Sequence, residues 1–338
     1  IQLNKETPES EPNIQFLLDA FSSNDSIQKE SNINLRINSI LIRRGSVCYD
    51  VLSKPETPGI FNPSHIGINN FEATISVKAL NRDSLNATIR RFSFNEKSGF
   101  KLKKLGGRLI ANNKFMNIDD FTIQFPQTTI NLEQTKVKFD SLHHLPLMNK
   151  DVKYQGKLNA ALCFSDFSSF IPQLKSMNEP ILLQSSFNGI GKEFYIPTLS
   201  LNDKKHIRIN GRASIMNWDT SKNMYLKAQL TEFFLSQSGL NYFIGNLTGN
   251  VPPVIERMES IHFNGYAEGY LHKLRIHGEA KTSAGEVNTD IEVKTDFNNN
   301  RTYTGTLTSN NLNLKKILKQ DKLGTAQFNI KIDGFDMK

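Results

Sequence analysis

The chain has 338 residues, of which only 38% are hydrophobic, and a mean hydropathy of -0.41. These values are low for a chain of this length built round one compact core. Its 23 phenylalanines recur in regular patterns that exclude wholesale disorder, which leaves an elongated body with much surface. The net charge of +8 is scattered as pairs such as Arg43-Arg44, Arg90-Arg91, Lys103-Lys104 and Lys315-Lys316, not interleaved with exposed aromatics, and this excludes a single-stranded nucleic-acid groove.

Residues 1–31 read as a linker with one short helical stretch at 13–21 (NIQFLLDAF), behind Pro12. Residues 32–150 read as a first β section. In it Phe71, Ala73, Ile75, Val77 and Ala79 alternate with Glu72, Thr74, Ser76 and Lys78, the period of a strand with one apolar and one wet face. Residues 53–63 (SKPETPGIFNP) form a loop, and 143–151 (HHLPLMNKD) mark a boundary. Residues 151–338 read as a second β section. The same parity runs through Tyr154, Gly156, Leu158, Ala160 and Leu162, then Ile207, Ile209, Gly211, Ala213 and Ile215. It returns in Leu226, Ala228 and Leu230, in Ile261, Phe263 and Gly265, and in Ala326, Phe328, Ile330 and Ile332.

Asn210-Gly211 and Asn264-Gly265 have the composition of hairpin turns, but the alternation continues through them and makes them strand interior. Glycines there serve strand curvature or the close approach of another group. Helical pattern is confined to short stretches at 165–174, 236–244 and 313–318, each following a strand, a weak internal repeat that suits turns covering a sheet end. The outer-face charges solvate the strands or, in a sharper reading, draw the chain to an anionic membrane surface. No apolar run is long enough for a membrane-spanning helix, and the chain reads as a piece of a longer exported protein.

The residues offer no catalytic constellation. Gly189-Ile190-Gly191 begins a dinucleotide-like pattern, but Phe194 stands where the third glycine belongs. Asp119-Asp120 on a strand would point to opposite faces and not act on one bond. His143-His144 lacks further metal ligands near it in sequence, and no metal or cofactor is expected. Cys48 and Cys163 could form one bridge, although two free buried thiols are the favoured reading.

Two stretches, INLRINSILIRRGSVCYD at 33–50 and FNPSHIGINNFEATISVKALNRDSLNATIRRFSFNEKSGFKLKKLGGRL at 61–109, resemble the TamB branch of the AsmA-like envelope proteins of Gram-negative bacteria. The match extends over about 33–132 and is compositional beyond it. The resemblance implies a periplasmic protein held in the inner membrane by a segment outside this chain. It implies a long β-groove, traffic of phospholipid between membranes, assembly of outer-membrane barrels with an Omp85-type partner, and no catalytic residues.

The expected fold is therefore all-β: elongated, curved antiparallel sheets forming a groove-like (β-taco) repeat array with a few short helices. The expected function is non-enzymatic shielding of phospholipid or other lipid chains. Candidate lining residues are Phe71, Ile75, Val77, Tyr154, Leu158, Leu162, Ile207, Ile209, Ile215, Phe263 and Phe328. The alternative is a closed β-sandwich with a structural or adhesive role.

Overall fold

A computed structural model describes residues 1–13, 15, 38–81, 84–140, 150–220, 222–249, 251–297 and 300–335. Strands dominate, in the alternating pattern that sequence parity dictates: the architecture is all-β, an open, curved sheet fold with a few short helical turns. The chain forms two compact units, one of residues 1–112, 117–131 and 163–178, the other of 113–116, 132–162 and 179–338. Residue 150, where the sequence pointed to a boundary, lies inside the second.

The first unit holds β1 (Gln2–Lys5), β2 (Ser39–Val51), β3 (His65–Asn81), β4 (Ser84–Glu96), β5 (Lys101–Leu102) and β6 (Lys104–Asn112). β1 runs parallel to β2, and β2, β3, β4 and β6 follow as an antiparallel ladder. β7 (Phe115–Gln124) and β8 (Thr129–Lys138) contribute residues to both units. Arg44, Asn70 and Asp120 take left-handed φ values of 53°, 51° and 51° inside their strands. Such residues kink a strand and break its two-residue period. The strict alternation assumed for Asp119-Asp120 therefore does not hold, although both side chains are exposed.

The second unit is a meander. It comprises β9 (Lys153–Leu162), β10 (Ile181–Ile190), β11 (Glu193–Asn202), β12 (Ile207–Met216) and β13 (Tyr225–Leu235). β14 (Ile261–Tyr270), β15 (Lys273–Thr282), β16 (Gly285–Thr295), β17 (Arg301–Asn313) and β18 (Thr325–Phe335) continue it. Each strand pairs antiparallel with the next. Asn210-Gly211 and Asn264-Gly265 lie inside β12 and β14.

In the β14–β15 ladder Gly265 and Gly278 stand directly opposite each other. A Cβ on Gly265 would sit 2.3 Å from the His277 carbonyl oxygen, and one on Gly278 2.3 Å from that of Asn264. The ring of Phe263 covers the pair, its Cζ 2.7 Å from either Cβ position. Only glycine admits this approach, and the ring restores the buried surface that two missing side chains would forfeit.

From β9 onward, helical turns follow every fourth strand. Turns at Phe164–Phe167 and Pro172–Ser176 follow β9; Gln237–Gly239, Leu240–Gly245, Asn246–Thr248 and Pro253–Glu256 follow β13; Leu314–Leu318 follows β17. Two of them start on a side-chain cap. Ser236 Oγ accepts the Gly239 N–H at 3.0 Å, and Asn313 Oδ1 accepts that of Lys316 at 3.0 Å. The 13–21 stretch lies almost wholly outside the described residues.

Each of these three caps is lashed to the hairpin loop beside it. The Cys163 N–H donates to Thr128 Oγ1 at 2.8 Å, in the loop between β7 and β8. The Ser236 N–H donates to the His206 carbonyl at 2.9 Å, between β11 and β12. The Asn313 N–H donates to the Ala284 carbonyl at 2.7 Å, between β15 and β16. The repeat hinted at by short helical patterns is thus a repeat of four strands, one cap and one lash.

Candidate functional site

The strand register gathers the apolar parity sets onto one face. Across the second unit Tyr154 faces Gly189, which faces Phe194, then Ile215, then Leu226. A second row runs Leu183, Leu201, Ile209, Phe233, Phe263. A third joins Leu158 through Ser185, Leu199 and Gly211 to Leu230. Leu162 faces Ile181 and Ile207 faces Leu235 at one margin of this face, and Phe328 faces Ser309 on the last strand pair. With strands about 4.8 Å apart, ten of them spread this face over roughly 40 Å of ladder.

Of the candidate lining residues, Phe71, Ile75 and Val77 lie in the first unit. Ile75 there pairs with Ile40 on β2 and with Ile89 on β4, Val77 with Ala87, and Phe71 with Gly45. They belong to that unit's own face. The other eight lie in the second unit.

Burial is distributed as no closed sandwich would distribute it. Among the candidates only Tyr154 is buried; the other ten are half-buried. Phe139 is the one phenylalanine in the buried core among the described residues. The buried apolar side chains of the second unit sit at strand ends instead. Ile181 opens β10, Leu235 closes β13, Leu240 and Ile317 belong to caps, and Val137, Phe139, Val152 and Tyr154 cluster where β8 gives way to β9. Two sheets packed face to face would bury mid-strand positions most. Here the middle of the face stays half open.

The first unit concentrates aromatic rings. Phe71, Phe92, Phe94 and Phe100 form a chain with centroid spacings of 5.2, 6.2 and 6.2 Å. Phe100 touches Phe125 and Phe170 at 5.4 and 5.0 Å, Phe125 touches Phe167 at 5.3 Å, and Phe170 touches Phe61 at 4.9 Å. Phe167 and Phe170 come from the cap after β9, so that cap presses two rings against the end of the row. Phe170 remains 42% exposed.

Parity did not single out Phe187, Phe194 or Phe233. β11 carries an extra residue where it passes β10 and β12, and β13 carries one where it passes β12 and β14, whereas β10 runs unbroken beside β9 with Phe187 in the parity of Leu183, Ser185 and Gly189. Each extra residue breaks the two-residue count. The usable signal was the pairing partner: Phe187 faces Gly156, whose missing side chain it covers.

The opposite face is wet. Lys157, Asn159, Gln184, Arg212 and Gln229 line a hollow of about 750 Å³, and Lys136, Lys138, Lys153 and Gln155 border another of about 950 Å³. Both are open and bordered by exposed polar side chains. We regard them as solvated saddles of a twisted, bulged sheet rather than as sites.

One titratable cluster stands out in the first unit. Asp50, Glu56 and His65 bring ligand atoms within 4.8 Å of one another. His65 is buried, and its Nδ1 lies 2.9 Å from Asp50 Oδ1 while its Nε2 lies 2.9 Å from the Lys54 carbonyl. The Asp50 carboxylate and the Lys54 carbonyl are both acceptors, an arrangement that suits the doubly protonated ring, in which neither nitrogen has a lone pair for a metal. The Asp50 hydrogen bond raises the His65 pKa, aided by the Lys54 carbonyl. The same bond to His65 lowers that of Asp50. The arrangement ties the loop after β2 to the start of β3.

A second buried pair supports a cap. Asp203 accepts the N–H groups of Lys205, His206 and Ile207 and the Nδ1 of His206, the last at 2.8 Å. Burial would raise the Asp203 pKa, but these donors outweigh it and hold the carboxyl below its usual value. The His206 ring stacks on Tyr242 of the cap at 4.8 Å. Cys48 and Cys163 are both unbridged thiols, Cys163 buried and Cys48 half-buried. His143 and His144 lie outside the described residues. No helix among the described residues is long and apolar enough to cross a membrane. No family model, curated protein or solved structure matches the chain.

Proposed function

We propose that the chain is a non-enzymatic, lipid-shielding segment of an envelope protein like those of the TamB branch. In this reading it works in the periplasm, anchored to the inner membrane through a segment outside this chain. Its ligand is phospholipid or another lipid with long acyl chains. An Omp85-type outer-membrane partner, if engaged, binds through other regions.

The observation that carries the reading is the half-open apolar face of the second unit, with its buried core displaced to the strand ends. An acyl chain in water costs about 0.8 kcal/mol for each exposed CH₂. A face lined by Leu158, Ile209, Ile215, Leu230 and Phe263 offsets that cost, and the lipid's own chain covers the side chains that the fold leaves open. One leaflet of hydrocarbon is about 15 Å thick, so the roughly 40 Å face exceeds the length of one acyl chain and lets several lipids lie in sequence. The head group can remain in water, and no convergent polar pocket is required.

The test is lipid capture. Purified protein is extracted and its lipids identified by mass spectrometry, beside a Leu158→Asp variant. Wild type should retain phospholipid and the variant, still folded by circular dichroism, should lose most of it. A wild-type protein free of lipid that also ignores apolar dyes would favour the structural or adhesive role instead.

A further inference from the structure

The first unit carries a compact apolar tip. The Phe61 N–H donates to the Ser169 carbonyl at 2.8 Å and the Phe61 ring meets Phe170 at 4.9 Å, so the loop after β2 lies along the cap after β9. Ile60, Phe170 and Ile171 come from these two adjoining segments, and they are 43%, 42% and 48% exposed. Phe170 also meets Phe100 at 5.0 Å, so the phenylalanine row braces its ring from behind and holds the exposed edge in place. All of these residues belong to the first unit.

Two observations point to a lipid surface rather than to a protein partner. The first is the backbone. The N–H groups of Ile60, Phe61, Phe170 and Ile171 all donate within the tip, to the carbonyls of Thr57, Ser169, Phe167 and Phe167 at 3.2, 2.8, 3.0 and 3.1 Å, and Pro172, next in line, has no N–H. A segment that touches hydrocarbon has to satisfy its donors internally, whereas an edge that recruits a partner strand offers them free. The second is charge. Lys54 of the loop, Lys103 of β5–β6 and Lys175 of the cap are exposed, and none is paired with a carboxylate among the described residues. Lys103 Nζ donates to the Pro126 carbonyl at 3.1 Å, beside Phe125, whose ring meets Phe167 of the cap at 5.3 Å. The acids of this region are turned elsewhere. Asp166 accepts the N–H groups of Gln127 and Thr128, and Glu56 gathers with Asp50 and His65.

We infer that this tip docks on an anionic membrane surface, with Ile60, Phe170 and Ile171 seated at the boundary of head groups and acyl chains and Lys54, Lys103 and Lys175 beside lipid phosphates. Braced apolar side chains enter that boundary without first having to be ordered, and each lysine near an anionic surface strengthens binding by about fivefold. A neutral surface forgoes the charge term. The inference does not need the lipid-shielding reading, because a scaffold resting on a membrane would use the same tip.

The experiment is vesicle flotation of the full chain. Vesicles of phosphatidylethanolamine with phosphatidylglycerol are compared with vesicles of phosphatidylcholine alone. Wild type should float with the anionic vesicles, about tenfold less with the neutral ones, and less again in high salt. The double variant Ile60→Asp, Ile171→Asp leaves the phenylalanine rings in place and should cut flotation about tenfold or more with its circular dichroism unchanged. Lys103→Glu with Lys175→Glu, on the outer surface, should bring anionic vesicles down to the neutral level. Leu247→Asp, which adds the same charge at a leucine 51% exposed in the second unit, should float as wild type does. No flotation of wild type, equal flotation with both vesicles, or flotation that survives both double variants would each overturn the proposal.

Discussion

Truncating Leu158 to alanine should cost little folding stability, and truncating Ile181 should cost a great deal, although both side chains sit on the same apolar face. Fully burying a leucine is worth about 1.5–3 kcal/mol, and Leu158 is only half-buried, so Leu158→Ala should lose about 1 kcal/mol. Ile181 is 1% exposed, and its truncation adds a cavity to the lost transfer energy, for about 3–4 kcal/mol. The gap of about 2 kcal/mol is roughly thirtyfold in the unfolding equilibrium. Urea unfolding followed by the fluorescence of Trp218, which reports on the second unit, measures both variants against wild type. Equal losses would refute the argument, because they would mean that Leu158 lies in a closed core. Added lipid should deepen the Leu158→Ala defect relative to wild type, since the missing side chain then faces a bound chain rather than water.

Stability should also depend on pH through the His65–Asp50 pair. His65's raised pKa makes its contribution complete below about pH 6.5 and lost as pH rises through the raised value. Asp50's lowered pKa makes its contribution complete above about pH 4 and lost on further acidification. The pair therefore supports the first unit most between about pH 4 and pH 6.5. The urea midpoint of that unit should fall between about pH 6 and pH 9 in wild type and should lose this slope in His65→Gln; an unchanged slope would remove the imidazolium from the account. Gly265→Ala should destabilise the second unit by about 2 kcal/mol or more, because its methyl would meet the His277 carbonyl, whereas Gly324→Ala, with nothing within 4 Å, should be close to neutral in the same assay.

What could be read from the sequence was what period two encodes. Tyr154, Leu158 and Leu162 sit on β9 with the alternation intact, and so do Ile207, Ile209 and Ile215 on β12. Wherever one residue is inserted into a strand the count inverts, and no composition marks the insertion. Phe233 was invisible for that reason, although it faces Phe263 directly. Asp120 was misread for a related one, since aspartate tolerates left-handed backbone without announcing it. The phenylalanine row of the first unit was out of reach on other grounds. It joins Phe61, Phe100, Phe125 and Phe170 across long stretches of chain, and only docking of the cap after β9 assembles it. The imidazolium at His65 depends likewise on a carbonyl and a carboxylate that no local pattern pairs with it.

The lash between each cap and its neighbouring hairpin loop constrains how such a chain can change length. Strand direction reverses at every step of a meander, so a cap reaches its loop because an even number of strands, two, separates them. Duplicating or deleting the four-strand block from β10 to β13, with its cap, returns the chain to the same rim facing the same way. Gaining or losing a single strand between a loop and its cap would carry that cap to the opposite edge and break its lash, whereas a strand gained elsewhere would move loop and cap across together. Lengthening by whole modules is therefore silent to the fold. Lengthening by one strand outside these two-strand segments keeps each lash but sends later caps to the other edge, so of the two only whole blocks keep all the caps on one edge.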